Sequence, residues 1–251
     1  MRQPIIAANW KMNMDLKSSR EYVLKLKGLC SPQKELVLIC PPFTMLHLVG
    51  QLLAGSPFVL GGQDVFWQES GSYTGEISPT MLREVGCQWV IVGHSERRRI
   101  LHETDEMISK KVEAALKNGL RVIVCVGETL EERDRGEGPA RLRTQVEAAL
   151  ALLGPERSVD VVVAYEPVWA IGTGKAASVE DAVAAARLIR ETIAAKWGSE
   201  PAESVRVLYG GSVNPTNAAG FARARDIDGT LVGGASLNPS EFSRIVQAWQ
   251  G

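Results

Sequence analysis

The chain has 251 residues, of which 45% are hydrophobic, so it can bury a large core as one α/β barrel or as two smaller domains. Its 28 basic and 29 acidic residues nearly balance, which gives no electrostatic basis for binding nucleic acid or an anionic membrane. The apolar run near the N-terminus is too short for a secretory signal or a membrane span, and this predicts a cytoplasmic protein.

In chain order, eight short runs rich in Val, Ile and Leu alternate with longer stretches of helical periodicity. Each run has the length of a strand that is buried on both faces. The predicted strands begin at Pro4, Glu35, Phe58, Cys87, Arg121, Val159, Val205 and Asp228. The stretch "DEMISKKVEAALKNG" follows Thr104 and is predicted to form a helix that stops at Gly119, because acids favour a helix start and glycine a helix end.

Eight units of about 30 residues, each a strand followed by a helix, predict a closed (β/α)8 TIM barrel with an outer ring of helices, as a single domain over residues 1–251. An open doubly wound sheet is the structural alternative. Active sites of such barrels are built at the carboxyl ends of the strands. Polar residues and glycines gather at those ends here: Asn9, Lys11, His94 to Glu96, Glu166, Gly210 to Ser212 and Gly233 to Ser236.

The four cysteines are widely spaced and form no C-x-x-C pair, and the chain has only three histidines. This pattern does not match a zinc site, so no metal is expected. We interpret the cysteines as buried thiols in a reducing compartment. They are Cys30, Cys40, Cys87 and Cys125.

Five segments, "AANWKMN", "VGHSERR", "VAYEPVWAIGTGK", "YGGSV" and "LVGGASL", together resemble the triosephosphate isomerase family, from Ile6 to Leu237 in the family's order and spacing. The resemblance implies that dihydroxyacetone phosphate and D-glyceraldehyde 3-phosphate are interconverted without a cofactor. Two alternatives from other classes are a phosphometabolite-binding barrel with no catalytic role and a different phosphate-handling barrel enzyme. The first would need Lys11 and the glycines but neither Glu166 nor His94.

Glu166 stands where the sixth predicted strand ends. Pro167 restricts it to extended geometry, so its side chain is held in one direction. The apolar and then glycine-containing segment from Val168 to Lys175 is predicted to fold over a ligand and exclude water, which makes a carboxylate a stronger base. By resemblance, Glu166 is the general base that takes a proton from carbon.

His94 directly precedes "SERRRI", a stretch of helical character in which Ser95 is a candidate cap. The positive end of a helix disfavours an imidazolium ion, so His94 is expected to be neutral and to polarise a carbonyl group as the electrophile that the resemblance implies. By resemblance, Lys11 is the cation that balances phosphate and oxyanion charge, with Asn9 beside it in the site. Glu96 is a candidate partner of Lys11.

Glycines let backbone N–H groups approach an anion closely, and barrels often bind phosphate near the last two strands. The substrate phosphate is therefore expected near Ser212, Gly233 and Gly234, and the resemblance adds the amide of Gly172. Outside this set the chain departs from the family pattern at a few positions. Asp64 and Ser72 replace the usual Asn and Ala, and Met14 and Asp15 stand where Gly or Lys and then Thr are common.

The segment from Gln63 to Ser78 is long for a βα connection and carries Phe66, Trp67 and Tyr73, which are poorly suited to face solvent. It is predicted to form the contact of a homodimer. In the resembling family this loop inserts beside the neighbour's lysine, so Thr74 and Glu76 are expected to approach Lys11 and Asn9 of the other chain.

Overall fold

The computed structural model describes residues 2–170 and 177–250. Parallel strands form a closed barrel in sequence order, and β1 pairs with β8 to complete it. The prediction of a closed (β/α)8 barrel is therefore confirmed, and closure excludes the open sheet. The strands are β1 (Ile5–Asn9), β2 (Leu36–Cys40), β3 (Phe58–Gly62), β4 (Trp89–Val92), β5 (Arg121–Val126), β6 (Val161–Tyr165), β7 (Arg206–Tyr209) and β8 (Gly229–Val232).

Helices follow the strands along the chain. In order they are α1 (Leu16–Leu29), α2 (Leu46–Leu53), α3 (Pro79–Glu84), α4 (Ser95–Ile100), α5 (Asp105–Lys117), α6 (Leu130–Asp134), α7 (Gly138–Ala149), α8 (Val179–Trp197), α9 (Ser199–Ser204), α10 (Ala218–Ala222) and α11 (Pro239–Gln247). Within the described ranges, no helix is long and apolar enough to cross a membrane.

The helix predicted after Thr104 is α5. The Thr104 hydroxyl accepts a hydrogen bond from the Met107 N–H at 3.2 Å, and the chain turns at Gly119, where φ is +76°. The departure at Asp15 also has a structural reason. Its carboxylate accepts from the Ser18 N–H at 2.7 Å and caps α1, so it satisfies one of the free N–H groups at the helix start.

The strands are buried on both faces because the barrel has two apolar layers. Ile5 and Ala7 point to the barrel interior, whereas Ile6 and Ala8 pack in the layer between strands and helices. Interior residues of the other strands follow the same alternation: Leu38, Cys40, Trp89, Ile91, Ile123, Cys125, Val162, Ala164, Leu208 and Leu231. This explains why the sequence runs are apolar throughout rather than alternating.

Period-two alternation also determines which residues reach the barrel axis at the carboxyl ends of the strands. The interior row of β1 continues to Asn9, that of β6 to Glu166, that of β7 to Gly210 and that of β8 to Gly233. The sequence analysis identified these four positions as strand ends, and it assigned site roles to Asn9, Glu166 and Gly233, but it did not give the direction of their side chains or backbone. The register of the interior row places them on one face of the barrel.

Candidate active site

Glu166 is only 2% exposed, and both of its carboxylate oxygens have hydrogen-bond donors. Oε2 accepts from the Ser95 backbone N–H at 2.8 Å, and Oε1 lies 2.9 Å from Nε2 of His94. The Glu166 N–H in turn donates to the Val126 carbonyl at 2.8 Å, which anchors the residue to β5. The sequence-predicted base and electrophile are therefore in direct contact.

His94 caps α4 with its ring, since Nδ1 accepts from the Glu96 N–H at 3.2 Å. The expectation that Ser95 is the cap is wrong: Ser95 is the first helical residue, and its N–H is left free to bind Glu166. The turn into this arrangement requires Gly93, whose φ is +71°, a conformation that side-chain-bearing residues rarely adopt.

The hydrogen bonds of His94 assign its tautomer. Because Nδ1 accepts a backbone N–H, the proton of the neutral ring resides on Nε2, where it points to the carboxylate of Glu166. This Nε2–H donates to Glu166 here, and it is a donor that another oxygen at this position could use.

Lys11 lies just beyond β1 in a left-handed conformation, with φ +53°. Its backbone is held by a bond from its own N–H to Asn9 Oδ1 at 3.0 Å and by Gln63 Nε2, which donates to the Lys11 carbonyl at 2.9 Å. Its ammonium contacts Glu96 Oε1 at 2.6 Å. Burial acts to raise the pKa of Glu96, but the hydrogen bond from Lys11 and nearby positive charge outweigh burial and lower it.

The glycines after β8 lie against this lysine. A Cβ atom at Gly233 would come within 3.3 Å of Lys11 Cε, whereas Gly234 has open space around it and begins a short 3-10 turn. Ser236 closes the turn through its hydroxyl, which donates to the Gly233 carbonyl at 2.7 Å. Ser212 is exposed beyond β7. Gly172, the other expected phosphate contact, lies outside the described residues, as does the part of the predicted cover from Ile171 to Lys175.

The glycines after β7 and β5 serve packing that the sequence analysis missed. A Cβ at Gly210 would lie 3.0 Å from Glu166 Cγ, and one at Gly211 would lie 2.8 Å from Pro167 Cγ. A Cβ at Gly127 would lie 1.8 Å from the Glu166 carbonyl oxygen, which is sterically impossible without movement. The presence of glycine at these strand ends was the sequence feature that could have predicted this close packing. It lets neighbouring chain pack directly against the glutamate.

Cys125 is a second feature that sequence reasoning did not connect to the site. It lies in the interior row of β5, and its burial, followed by the negative charge of Glu166, raises the pKa of its thiol well above the usual range. The thiol therefore stays protonated beside the carboxylate. Within the described residues, no three His, Cys, Asp or Glu side chains are grouped as metal ligands.

A closed barrel that carries a carboxylate, an imidazole and an ammonium at the carboxyl ends of its strands defines a barrel enzyme equipped for acid–base chemistry. The sequence pattern of the family "Triosephosphate isomerase" matches residues 4–249. The chain belongs to the triosephosphate isomerase family, a family of isomerases.

Individual relatives support the same assignment. A triosephosphate isomerase of Roseiflexus sp. is 51% identical over 247 residues, which cover 98% of this chain and 97% of that protein. That of Caldanaerobacter subterraneus is 49% identical over 246 residues, 98% of this chain and 99% of the relative. That of Dictyoglomus turgidum is 47% identical over 249 residues, which cover 99% of this chain and 100% of the relative. The similarity spans essentially the whole chain.

Proposed function

We propose that the chain interconverts dihydroxyacetone phosphate and D-glyceraldehyde 3-phosphate through an enediolate, with Glu166 as the base. The observation that carries the roles of the residues is the pairing of a buried carboxylate with a neutral imidazole. Glu166 Oε1 lies 2.9 Å from His94 Nε2 at the carboxyl end of the barrel. The names of the relatives identify the substrate class.

The reaction moves one carbon-bound proton between adjacent carbons and one hydroxyl proton between adjacent oxygens, so it needs no redox partner. Glu166 takes the proton from C1 of dihydroxyacetone phosphate and returns it to C2. The Nε2–H of His94 binds the oxygens as negative charge develops on them, and the ammonium of Lys11 stabilises that charge. To reach the carbon, Glu166 must exchange its bond to the Ser95 N–H for contact with substrate.

We infer that the phosphate binds near Lys11 and the adjacent strand ends, with the backbone of Gly233 and Gly234, with Ser212 and with the Gly172 amide. The approach of Gly233 to Lys11 Cε supports this placement, because a phosphate there would meet both backbone N–H groups and an ammonium. Asn9 contributes by holding the Lys11 N–H, which fixes the backbone that carries the ammonium.

A coupled assay tests the activity. Purified protein is given D-glyceraldehyde 3-phosphate, and the dihydroxyacetone phosphate formed is consumed by an NADH-linked reductase. We expect NADH oxidation in proportion to the protein added, with no cofactor requirement for the isomerase itself. Binding of a phosphorylated triose with no turnover would instead support a phosphometabolite-binding barrel.

We also propose that a second copy of the chain covers the apolar surface around the site and the segment 63–78. Large apolar side chains are exposed on the segments that follow β1 and end α4. They are Met12 at 94%, Leu16 at 57%, Ile100 at 59% and Leu101 at 56%. The aromatic residues of the segment partly cover one another, since the Phe66 ring lies 4.0 Å from that of Trp67 and 4.6 Å from that of Tyr73. Tyr73 nevertheless remains exposed.

A cytoplasmic setting and a single domain over residues 1–251 remain part of the proposal. The four cysteines are free and buried, which suits a reducing compartment. Burial raises the pKa of Cys30 to about 11 and that of Cys87 to about 12, so these thiols are unreactive. The pairing of β1 with β8 supports one domain, because it joins both ends of the chain in one barrel.

A further inference from the structure

Arg133, at the end of α6, makes three contacts with segments that flank the catalytic strand end. Its Cζ atom lies 4.0 Å from the ring centroid of Trp169. Its Nη2 is 2.9 Å from Asp181 Oδ1 at the start of α8, and its Nη1 is 3.4 Å from Glu128 Oε1 after β5. One guanidinium thus joins the turn after Glu166 to two neighbouring segments.

The same segments are linked by hydrogen bonds. The Trp169 N–H donates to the Glu128 carbonyl at 3.2 Å, and its indole Nε1–H donates to the Tyr165 hydroxyl at 3.3 Å. That hydroxyl donates to Glu128 Oε1 at 3.0 Å. Tyr165 immediately precedes Glu166 in the chain, so the network holds the peptide on both sides of the carboxylate.

We propose that Arg133 is a positioning residue for Glu166, because it fixes Trp169 against Glu128 and Asp181 and thereby fixes the direction of the glutamate side chain. In the contacts of the described residues, Arg133 reaches Glu166 indirectly, through Glu128, Tyr165 and Trp169. The inference rests on the proposed role of Glu166 as base. It adds a residue outside the substrate-contacting set, on a helix that none of the family motifs includes.

The choice of arginine follows from this geometry. A guanidinium is planar, so it stacks on an indole while its N–H groups bind carboxylates at its edge. A lysine could keep an ion pair with Asp181 but could not stack and bind two carboxylates together. Asp181 is itself held in place, since its Oδ2 accepts from the Ser178 N–H at 3.0 Å and completes the capping box in which Ser178 caps α8.

The test compares Arg133→Gln and Arg133→Lys with a matched control, Arg135→Gln. Arg135 lies two residues further along, is exposed and pairs only with Glu131 at 2.8 Å and Glu137 at 3.1 Å among the contacts of the described residues. The measurements are kcat and KM for the isomerisation, the folded fraction and Tm. We expect kcat of Arg133→Gln to fall about tenfold with KM nearly unchanged, because a displacement of the base by about 1 Å can cost roughly 10² and this indirect link should displace it by less.

Arg133→Lys should recover part of the loss in kcat, and Arg135→Gln should match the parent. Asp181→Asn should lower kcat less in the Arg133→Gln background than in the parent, since both changes break one arrangement. The inference is overturned if kcat per folded molecule is unchanged while only Tm falls, or if KM rises instead. Glu166→Gln, measured in parallel, separates the two proposals. If Glu166→Gln retains activity, the assignment of Glu166 as base fails. If Glu166→Gln loses activity but Arg133→Gln retains it, only the positioning role of Arg133 fails.

Discussion

The two oxygens of the Glu166 carboxylate bind different donors, an imidazole Nε2–H and a backbone N–H. Under the proposed mechanism, the Nε2–H that binds Oε1 would also bind a substrate oxygen, and the Ser95 N–H would hold Oε2 until the base moves to carbon. Because the residue is nearly fully buried, Glu166→Gln keeps the shape, but its amide NH2 faces either the Ser95 N–H or the His94 Nε2–H, so one accepted hydrogen bond is lost together with the base. The role of the charge can therefore be tested apart from the role of the shape.

Glu166→Gln should lower kcat by about 10² to 10⁴, because it keeps the size and removes the base. Glu166→Asp keeps the base but withdraws it by about one methylene, which should cost around 10². Both variants should still bind a phosphate-bearing transition-state mimic, whereas Lys11→Ala should weaken that binding. The measurements are kcat and the Kd of the mimic, and a kcat of Glu166→Gln within a few-fold of the parent would contradict the assignment.

Sequence patterns located these residues and the Glu96 partner of Lys11, but not the hydrogen-bond partners of Glu166. Glu166 could be placed at a strand end with a fixed direction because Pro167 follows it. The contact with Ser95 could not be predicted, because it joins residues 71 positions apart and depends on which N–H His94 leaves free. A ring nitrogen as helix cap is outside the usual capping preferences, so the pattern favoured Ser95 instead.

At the scale of the helix, the start of α5 depends on Thr104, whose hydroxyl accepts the Met107 N–H. Thr104→Ala should lower the free energy of unfolding by about 1 kcal/mol, because an N–H group in the first turn of the helix loses its side-chain acceptor. Thr104→Ser keeps the acceptor and is the control. Chemical denaturation of both variants measures the difference, and equal losses for Ala and Ser would show that the hydroxyl is not the cause.

A buried cluster of charges connects α4 and α5 to the segment after β3. Lys111 Nζ contacts Asp64 Oδ1 at 2.8 Å and also binds Glu103, while Arg97 contacts Asp64 Oδ2 at 2.9 Å and Glu103 Oε1 at 2.7 Å. Burial is the main cause that raises the pKa of Asp64 to about 6, and the charge of Glu103 adds to it, against the opposing effect of Lys111 and Arg97. The sequence showed Asp64 only as a departure from the family's Asn.

The stability of the fold should therefore depend on pH through Asp64. Its pKa in the folded state lies above the ordinary value of 3.8, so the folded protein binds the proton more tightly than the unfolded chain does. Ionisation of Asp64 therefore destabilises the fold, and this destabilisation reaches its full size above pH 6. At pH 8, Asp64→Asn should raise the free energy of unfolding by on the order of 1 kcal/mol and raise Tm accordingly. This gain should shrink as pH falls from 6 toward 4. Scanning calorimetry of the parent and of Asp64→Asn across this pH range measures the difference in Tm. If the variant has the lower Tm at every pH, the ion pairs of Asp64 outweigh the cost of burying it.

At the scale of the whole molecule, the architecture was predictable because every strand is buried on both faces. This makes each strand a continuous apolar run, and eight runs separated by helical stretches leave few arrangements other than a barrel. Strand bounds were less predictable. The run from Cys87 includes four strand residues, Trp89–Val92, because Gly93 turns the chain before His94. The packing of Gly127 and Gly210 on Glu166 depends on the pairing of β6 with both β5 and β7, which the sequence runs did not specify.

The assembly is the last property that the exposed surface predicts. The parent should elute and scatter light as twice the 27.2 kDa chain at micromolar concentration, because Met12, Leu16 and Tyr73 would otherwise face water. Thr74→Arg should shift the protein toward monomer and lower its activity, since the added cation would approach Lys11 of the partner and like charges repel. Thr144→Arg, on the exposed side of α7, adds the same charge elsewhere and should remain a dimer. A parent that is monomeric at this concentration with full activity would refute the dimer, and equal behaviour of the two variants would remove segment 63–78 from the interface.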